Sequence, residues 1–272
     1  MIARDASFAL DGRRIEASWW GPGPEVVPTL VLLHEGLGCV ALWRDFPKRL
    51  AAATGFGVFA YSRFGYGQSD SVPLPRPLTY MQDEAQQLLG RVLDAAGIRR
   101  CVLVGHSDGA SIALTYAGSF QDPRMRGIAL LAPHVMVEPF CIGEIERARD
   151  RWNTTDLRAR MARYHRDPDA AFLGWNGAWL DPGFAAVLEL QPEIAHVRVP
   201  VLVVQGGADP YGTLEHLRII ERESYCPVDS LVLPGIGHSP HLEAPGPTLD
   251  AVSDFARRIF RVHEPIVPQQ EK

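Results

Sequence analysis

Three residues that could together cleave a carbonyl compound each follow a separate apolar run of this sequence. Ser107 lies in "GHSDG" (105–109), Asp209 in "GGADP" (206–210) and His238 in "GIGHSPH" (235–241). A serine hydroxyl becomes a strong nucleophile when a histidine takes its proton and a carboxylate orients that histidine. The order serine, aspartate, histidine is one in which such triads occur. The pattern predicts Ser107 as nucleophile, His238 as base and Asp209 as acid.

The motif G-x-S-x-G is short, and alone it also fits a turn serine that caps a helix. Here an apolar run, "CVLV", precedes it and a helix-like run, "ASIALTYAG", follows it. Strand, tight turn and helix are what a nucleophile elbow requires, and glycines beside the serine let neighbouring backbone approach closely. The context therefore favours Ser107 as a nucleophile held at a helix N-terminus, where negative charge is stabilised.

A second carboxylate competes for the role of acid. Glu138 follows the run "IALLAP" (128–133), so it could also reach the histidine. Asp209 is favoured because its loop directly follows an apolar run and contains a turn-forming Asp-Pro.

Backbone N–H groups are expected to stabilise the oxyanion. Asp108 would supply one, and Gly36 or Leu37 in "HEGLG" (34–38) the other. The alternative for this segment is a plain glycine-rich turn.

Short apolar runs alternate with helix-like segments over most of the chain, which predicts an α/β fold with a mostly parallel sheet covered by helices on both faces. The predicted strands cover residues 29–34, 57–62, 101–106, 127–133, 199–206 and 229–235. The predicted helices cover residues 42–54, 79–97, 110–120, 212–224 and 246–260. "SFAL" and "RIEASWW", in the first twenty residues, read as two strands joined by Asp11 and Gly12.

Residues 135–196 have helical periodicity, many charges and several aromatics, but no strand-like run. They are predicted to form a helical cap inserted into a core of residues 1–134 and 197–272, closing over the carboxyl ends of the strands as a lid. Aromatic rings in the cap either line an apolar substrate pocket or fix the cap to the sheet. The candidate pocket residues are His34, Glu35, Trp152, Trp175, Trp179 and Tyr211.

Composition excludes several classes of function. The chain has 272 residues, a net charge of −5 and dispersed basic residues, so nucleic acid is a poor partner. No segment reads as an export signal or a membrane span, which favours the cytoplasm and no membrane partner. Four scattered cysteines predict neither disulfides nor a zinc site, and "HSPH" lacks a third ligand, so no metal or cofactor is expected.

With these motifs assembled, the chain resembles the α/β-hydrolase superfamily over nearly its whole length. The resemblance rests on "HEGLG", "YSRFGYGQSD", "GHSDG", "GGADP" and "GHSPHLEAP" in that order. It implies an eight-stranded sheet with a cap after strand six, the triad roles given above and a structural role for Arg63. Two departures are Glu35, where many members have glycine after the histidine, and the carboxylate of Asp108 in the elbow.

The expected activity is hydrolysis of a small or medium apolar carboxylic ester through an acyl-enzyme. Glu35 and Asp108 would disfavour anionic acyl groups if they face the pocket. A C–C bond hydrolase or an enol-lactonase is the enzymatic alternative, favoured if arginines among residues 147–166 make the pocket basic. A ligand-sensing receptor with little turnover is the third. The expected partner is a small-molecule substrate, and the sequence leaves its identity and the oligomeric state open.

Overall fold

An eight-stranded, mostly parallel sheet forms the centre of the fold, in a computed structural model that describes residues 3–263. The sequence assigns residues 1–2 and 264–272 to the core, and they lie outside the described residues. The strands are β1 Arg4–Asp5, β2 Phe8–Leu10, β3 Arg13–Ile15, β4 Ala17–Trp20, β5 Thr29–Leu33, β6 Gly57–Tyr61, β7 Cys101–His106, β8 Met125–Leu131, β9 Val201–Gly206 and β10 Val228–Leu233. The sheet order is β1-β4-β6-β5-β7-β8-β9-β10. β4 is antiparallel to its neighbours β1 and β6, and all other neighbouring pairs are parallel. The predicted fold class is confirmed.

Helices cover both faces of the sheet. They are α1 Phe46–Thr54, α2 Tyr80–Asp83, α3 Gly90–Ala95, α4 Asp108–Ser119, α5 Pro139–Thr154, α6 Leu157–Met161, α7 Pro168–Leu180, α8 Phe184–Val187, α9 Gln191–His196, α10 Glu215–Glu223, α11 Pro240–Glu243 and α12 Pro245–His263. Successive β5 side chains enter opposite cores: Val31 and Leu33 face α3 and α4, whereas Leu30 and Leu32 face α1 and α12. Apolar runs without alternation are explained by this burial on both faces.

The run "RIEASWW", predicted as one strand, forms two. β3 pairs with β2 in a separate hairpin, and β4 joins the main sheet beside β6. The break falls at Glu16, whose carboxylate accepts hydrogen bonds from Ser62 Oγ at 2.6 Å and from the Gln68 N–H at 2.9 Å. These polar contacts hold the chain between the two strands, so the prediction of a single strand there was wrong.

Residues 135–196 form five helices, α5 to α9, and no strand. α5 and α7 pack together over the carboxyl edge of the sheet. α9 instead packs against α4 so closely that a Cβ on Gly118 would stand 2.3 Å from the Glu193 carbonyl oxygen. The last helix of this segment is thus supported directly by the core.

The parallel strands bring six loops to one edge of the sheet. The loops after β5, β6, β7, β8, β9 and β10 all leave the carboxyl ends of parallel strands. Such an edge is where open α/β sheets bind ligands.

Candidate active site

Ser107 occupies a strained turn between β7 and α4. Its backbone has φ 54° and ψ −118°, a region that non-glycine residues rarely adopt. The Ser107 N–H donates to the Leu131 carbonyl at 2.9 Å, which ties the turn to β8. A Cβ on Gly105 would stand 2.2 Å from the Gly109 carbonyl oxygen, and a Cβ on Gly109 would stand 1.9 Å from the Leu33 carbonyl oxygen, so neither position has room for a side chain.

His238 links the serine to a carboxylate. His238 Nε2 lies 2.9 Å from Ser107 Oγ, and His238 Nδ1 lies 2.9 Å and 2.8 Å from the two carboxylate oxygens of Asp209. A carboxylate only accepts, so Nδ1 carries the proton. Nε2 is therefore the bare nitrogen, which accepts the hydrogen bond of the serine hydroxyl.

The surroundings of Asp209 hold it in place as an ionised acceptor. Gln205 Nε2 donates to Asp209 Oδ2 at 3.0 Å, and the Tyr211 N–H donates to Oδ1 at 2.8 Å. Burial opposes the charge, but the hydrogen bond from His238 holds the pKa of Asp209 below its usual value. The carboxylate thus stays charged beside the imidazole.

Glu138, the competing acid, faces a different histidine. Its carboxylate accepts from the N–H and the hydroxyl of Thr213 at 2.8 Å and 2.7 Å, and it lies 2.9 Å from His216 Nε2. Of the two candidate acids, the one within hydrogen-bond distance of His238 is Asp209.

Arg63 fixes the loop "HEGLG" from below. Its guanidinium donates to the carbonyl oxygens of His34 at 2.5 Å and Glu35 at 3.0 Å. In a trans peptide the C=O and N–H point in opposite directions, so the Gly36 N–H points away from Arg63. The N–H groups of Gly36 and Leu37 donate to no other described residue, and both residues line the same cavity as Ser107.

His106, which precedes Ser107, contacts both Glu35 and the backbone of His238. Its Nε2 donates to the His238 carbonyl at 2.8 Å, and its Nδ1 lies 3.4 Å from Glu35 Oε2. Burial disfavours protonation, yet the Glu35 carboxylate raises the pKa of His106 above its usual value. His106 therefore links the backbone of His238 to Glu35 in the loop of residues 34–38.

The carboxylate of Asp108 is buried between the elbow and residues of two helices. Its Oδ2 accepts from the Tyr80 hydroxyl at 2.5 Å, and that hydroxyl accepts from Trp179 Nε1 at 3.2 Å. Burial raises the pKa of Asp108, although Arg63 acts in the opposite direction. The side chain faces the cavity while its backbone begins α4.

One cavity, partly open to solvent, contains Ser107 and His238. It is lined by Glu35, Gly36, Leu37, Ser107, Asp108, His134, Cys141, Ile145, Trp175, Trp179, Tyr211 and His238. Trp175 closes over Gly36, where a Cβ would stand 2.2 Å from the indole nitrogen, so only glycine fits under this ring.

Two residues predicted for the pocket do not line it. His34 is fully buried because its Nε2 accepts from the Arg63 N–H at 3.1 Å and its ring packs edge-on against Tyr66. Trp152 stacks on Phe172 with ring centroids 4.2 Å apart. Both rings are occupied by packing inside the protein, so their assignment to the pocket is corrected.

Three lining residues were not anticipated: His134, Cys141 and Ile145. His134 follows "IALLAP" directly, and the rule that selected Asp209 from its place after a strand applies equally to it. Cys141 and Ile145 are four residues apart on α5 and therefore share one helix face. The position of α5 over the sheet, which decides that this face lines the cavity, has no local signal in the sequence.

His241, the second histidine of "HSPH", is buried. Its ring packs against Trp43, Phe46 and His106 with centroids 4.9, 5.6 and 4.7 Å apart. Burial, with the charge of His106, lowers the pKa of His241 to about 3. No group of three His, Cys, Asp or Glu side chains suited to a metal ion occurs among residues 3–263, and no helix there could span a bilayer.

His241 is expected to make the fold sensitive to acid. The unfolded chain binds this proton below about pH 6.5, whereas the folded protein does not until about pH 3, so stability is complete above pH 6.5 and falls towards pH 3. At pH 5 the loss is about 2 kcal/mol, because each pH unit corresponds to about 1.4 kcal/mol. In His241→Phe, the decrease in unfolding free energy from pH 7.5 to pH 5 should be smaller by that amount, measured by urea unfolding at both pH values. An unchanged decrease would contradict this assignment.

The sequence profile of the alpha/beta hydrolase family matches residues 30–251. A zearalenone hydrolase from Cladophialophora bantiana is 32% identical over 111 residues, which are 40% of this chain and 39% of that protein. Epoxide hydrolase B from Mycobacterium tuberculosis is 34% identical over 106 residues, 39% of this chain and 29% of that protein. The matched segments therefore span well under two thirds of these curated relatives.

Among solved structures, the chain is similar in fold to 2-hydroxy-6-oxo-6-phenylhexa-2,4-dienoate hydrolase from Rhodococcus sp. strain RHA1. The TM-score is 0.74 at 19% identity, over 96% of this chain and 99% of that one. Because the family profile covers well over half of the sequence, the chain belongs to the alpha/beta hydrolase family.

Proposed function

We propose that this hydrolase cleaves a small or medium apolar carboxylic ester through an acyl-enzyme on Ser107. The observation that carries the proposal is the hydrogen-bonded series from Ser107 Oγ to His238 Nε2, at 2.9 Å, and from His238 Nδ1 to Asp209, at 2.8 Å. A bare imidazole nitrogen at this distance is placed to act as general base.

In the first step His238 Nε2 takes the hydroxyl proton while Ser107 Oγ forms a bond to the ester carbonyl carbon. The carbonyl oxygen becomes an oxyanion, which the Asp108 N–H and a second N–H stabilise at the start of α4. Either Gly36 or Leu37 is the second donor, and the clamp of Arg63 on the Glu35 carbonyl favours Gly36. Collapse of the oxyanion breaks the bond to the alkoxide, which takes the proton from His238.

In the second step a water molecule gives its proton to His238 Nε2 and attacks the acyl carbon. The second oxyanion collapses, the bond to Ser107 Oγ breaks, and the serine regains its proton from the imidazolium. Asp209 stabilises the imidazolium in both steps.

The cavity wall supports a neutral substrate of modest size. Leu37, Ile145, Trp175 and Trp179 provide apolar surface, and the carboxylates of Glu35 and Asp108 disfavour an anionic group. The arginines whose presence in the pocket would favour C–C bond hydrolysis or enol-lactone opening are all exposed and do not line the cavity: Arg147, Arg149, Arg151, Arg158, Arg160, Arg163 and Arg166. We propose residues 135–196 as the cap over this cavity, with α5 and α7 supplying its wall.

Covalent labelling with a fluorophosphonate tests the nucleophile. Wild type should label, whereas Ser107→Ala should not, and its kcat for any ester that wild type cleaves should fall by about 10⁴-fold or more. Ser111→Ala is the matched control, since Ser111 is another buried serine of α4 whose hydroxyl donates to the His134 carbonyl at 2.6 Å. This control should label like wild type.

A panel of esters graded by acyl length should then define the substrate size. If wild type labels no better than Ser107→Ala, the nucleophile is wrongly assigned. Labelling without turnover of any ester would support a receptor with this fold instead.

A further inference from the structure

Two buried acceptor atoms in the cavity wall have no hydrogen-bond partner among residues 3–263. They are Oδ1 of Asp108 and Nδ1 of His134, in side chains whose residues are 1% and 3% exposed. Both residues line the cavity that contains Ser107. We propose that these two atoms form a subsite that binds a hydroxyl group of the substrate. The proposal rests on the proposed hydrolase function and defines its substrate class as a hydroxylated ester.

The acceptor character of Asp108 follows from its neighbours. Trp179 Nε1 can only donate, so the Tyr80 oxygen accepts that hydrogen bond and the Tyr80 hydroxyl proton is left for Asp108 Oδ2. A carboxylate has about four acceptor positions, so the Tyr80 contact leaves Oδ1 available. A buried polar atom that lacks a partner is costly to the fold, and such atoms in functional cavities call for a ligand group.

The acceptor character of His134 follows from its tautomer. His134 Nε2 lies 3.1 Å from the Tyr211 carbonyl oxygen, which only accepts, so Nε2 carries the proton. Burial lowers the pKa of His134 well below its usual value, and repulsion from His216 and His238 in their protonated forms acts in the same direction, so the ring is neutral. A neutral imidazole has one proton, and Nδ1 is therefore a bare acceptor.

Trp179 is a neighbour of both acceptor residues. Trp179 contacts His134 edge-on with ring centroids 5.2 Å apart. Its Nε1 donates to the Tyr80 hydroxyl, which in turn donates to Asp108. Because Asp108, His134 and Trp179 line one cavity, a group bound there meets acceptors beside an apolar wall.

A neutral hydroxyl group suits these acceptors better than a charged group, and it donates its one proton to one acceptor at a time. A carboxylate of the substrate brings further acceptors and negative charge to Asp108. An ammonium group would lose its hydration in a mostly apolar cavity, and Arg63 and Arg76 already act on Asp108 as cations. A neutral hydroxyl donates its proton without that desolvation cost.

Matched esters test the subsite by a ratio of kcat/KM values. Aryl esters of unsubstituted acids are compared with 2-hydroxy and 3-hydroxy acids of the same length, each value divided by the rate of alkaline hydrolysis to remove intrinsic reactivity. Wild type should prefer at least one hydroxylated ester by about tenfold or more, the scale of one hydrogen bond to a charged group.

Asp108→Asn should reduce this ratio to about one. The amide oxygen takes the hydrogen bond of Tyr80, which leaves an NH₂ donor where Oδ1 stood. His134→Phe, which keeps a ring but removes Nδ1, should also lower the ratio. Ile145→Val is the matched control, since it changes the apolar wall only and should alter both esters by the same factor.

A binding measurement separates this subsite from the proposed chemistry. Ser107→Ala is titrated calorimetrically with amides of the same acids, and the hydroxylated amide should bind about tenfold more tightly. If no ester is cleaved but this preference is found, the hydrolytic proposal fails and the subsite stands. Equal binding of the two amides, a ratio unchanged in Asp108→Asn and His134→Phe, or a stronger preference for amino-substituted acids would each overturn the hydroxyl subsite.

Discussion

Asp209→Asn should lower kcat for ester hydrolysis by about 10⁴-fold, the loss expected when a triad histidine is held in the wrong tautomer. In the wild type both Asp209 oxygens accept from His238 Nδ1, at 2.9 Å and 2.8 Å, so that Nε2 is bare. An asparagine NH₂ donates to Nδ1, and the proton moves to Nε2, which then cannot take the proton of Ser107. The measurement is kcat at saturating ester, with circular dichroism to show that the variant is folded.

Glu138→Gln is the matched control, because it is the same isosteric change at the other candidate acid. Glu138 bonds Thr213 and faces His216, so this variant should keep kcat within about tenfold of wild type. Adding it to Asp209→Asn should reduce kcat no further than Asp209→Asn alone. An equal loss in the two single variants would assign the acid role to Glu138 or to both carboxylates.

The order of motifs along the chain predicts the fold and the meeting of Ser107, Asp209 and His238. Ser107 and Asp209 follow the apolar runs "CVLV" and "VLVV", which form parallel strands because they are buried on both faces. His238 follows β10, which is an edge strand that is only partly buried. Parallel strands place the residues after them at one edge, so a local pattern of strands is enough to bring distant residues together. The 2.9 Å contact between Ser107 Oγ and His238 Nε2 is the geometric outcome of that rule.

Side-chain direction was beyond what the sequence could predict. His34 and Trp152 are residue types that often line pockets. In this protein the His34 ring accepts a hydrogen bond from the buried Arg63, and the Trp152 ring stacks on Phe172. The hydrogen bonds that divide the "RIEASWW" run at Glu16 come from Ser62 and Gln68, which are 46 and 52 residues away along the chain. Such partners are set by tertiary packing, which periodicity and motifs do not encode.

The second large effect on stability and activity is expected at Gly109, the residue that follows Ser107 and Asp108. Gly109→Ala should destabilise the protein by about 3 kcal/mol or more and remove activity, because overpacked sites cannot relax when the obstacle is backbone. The new Cβ would stand 1.9 Å from the Leu33 carbonyl oxygen and 2.7 Å from that of His34. To make room, α4 must move away from β5, which separates the Asp108 N–H from the oxyanion loop.

Gly177→Ala provides the opposite expectation from the same substitution. Gly177 is exposed inside α7, and a Cβ there meets nothing within 4 Å. Alanine in a helix interior is more favourable than glycine by about 0.5–1 kcal/mol, so this variant should be slightly more stable than wild type. Urea unfolding of both variants measures the contrast, and kcat of Gly177→Ala should be unchanged. If Gly109→Ala unfolded at the wild-type urea concentration and kept its activity, the contact between α4 and β5 would not be what holds Ser107 and the oxyanion loop in register.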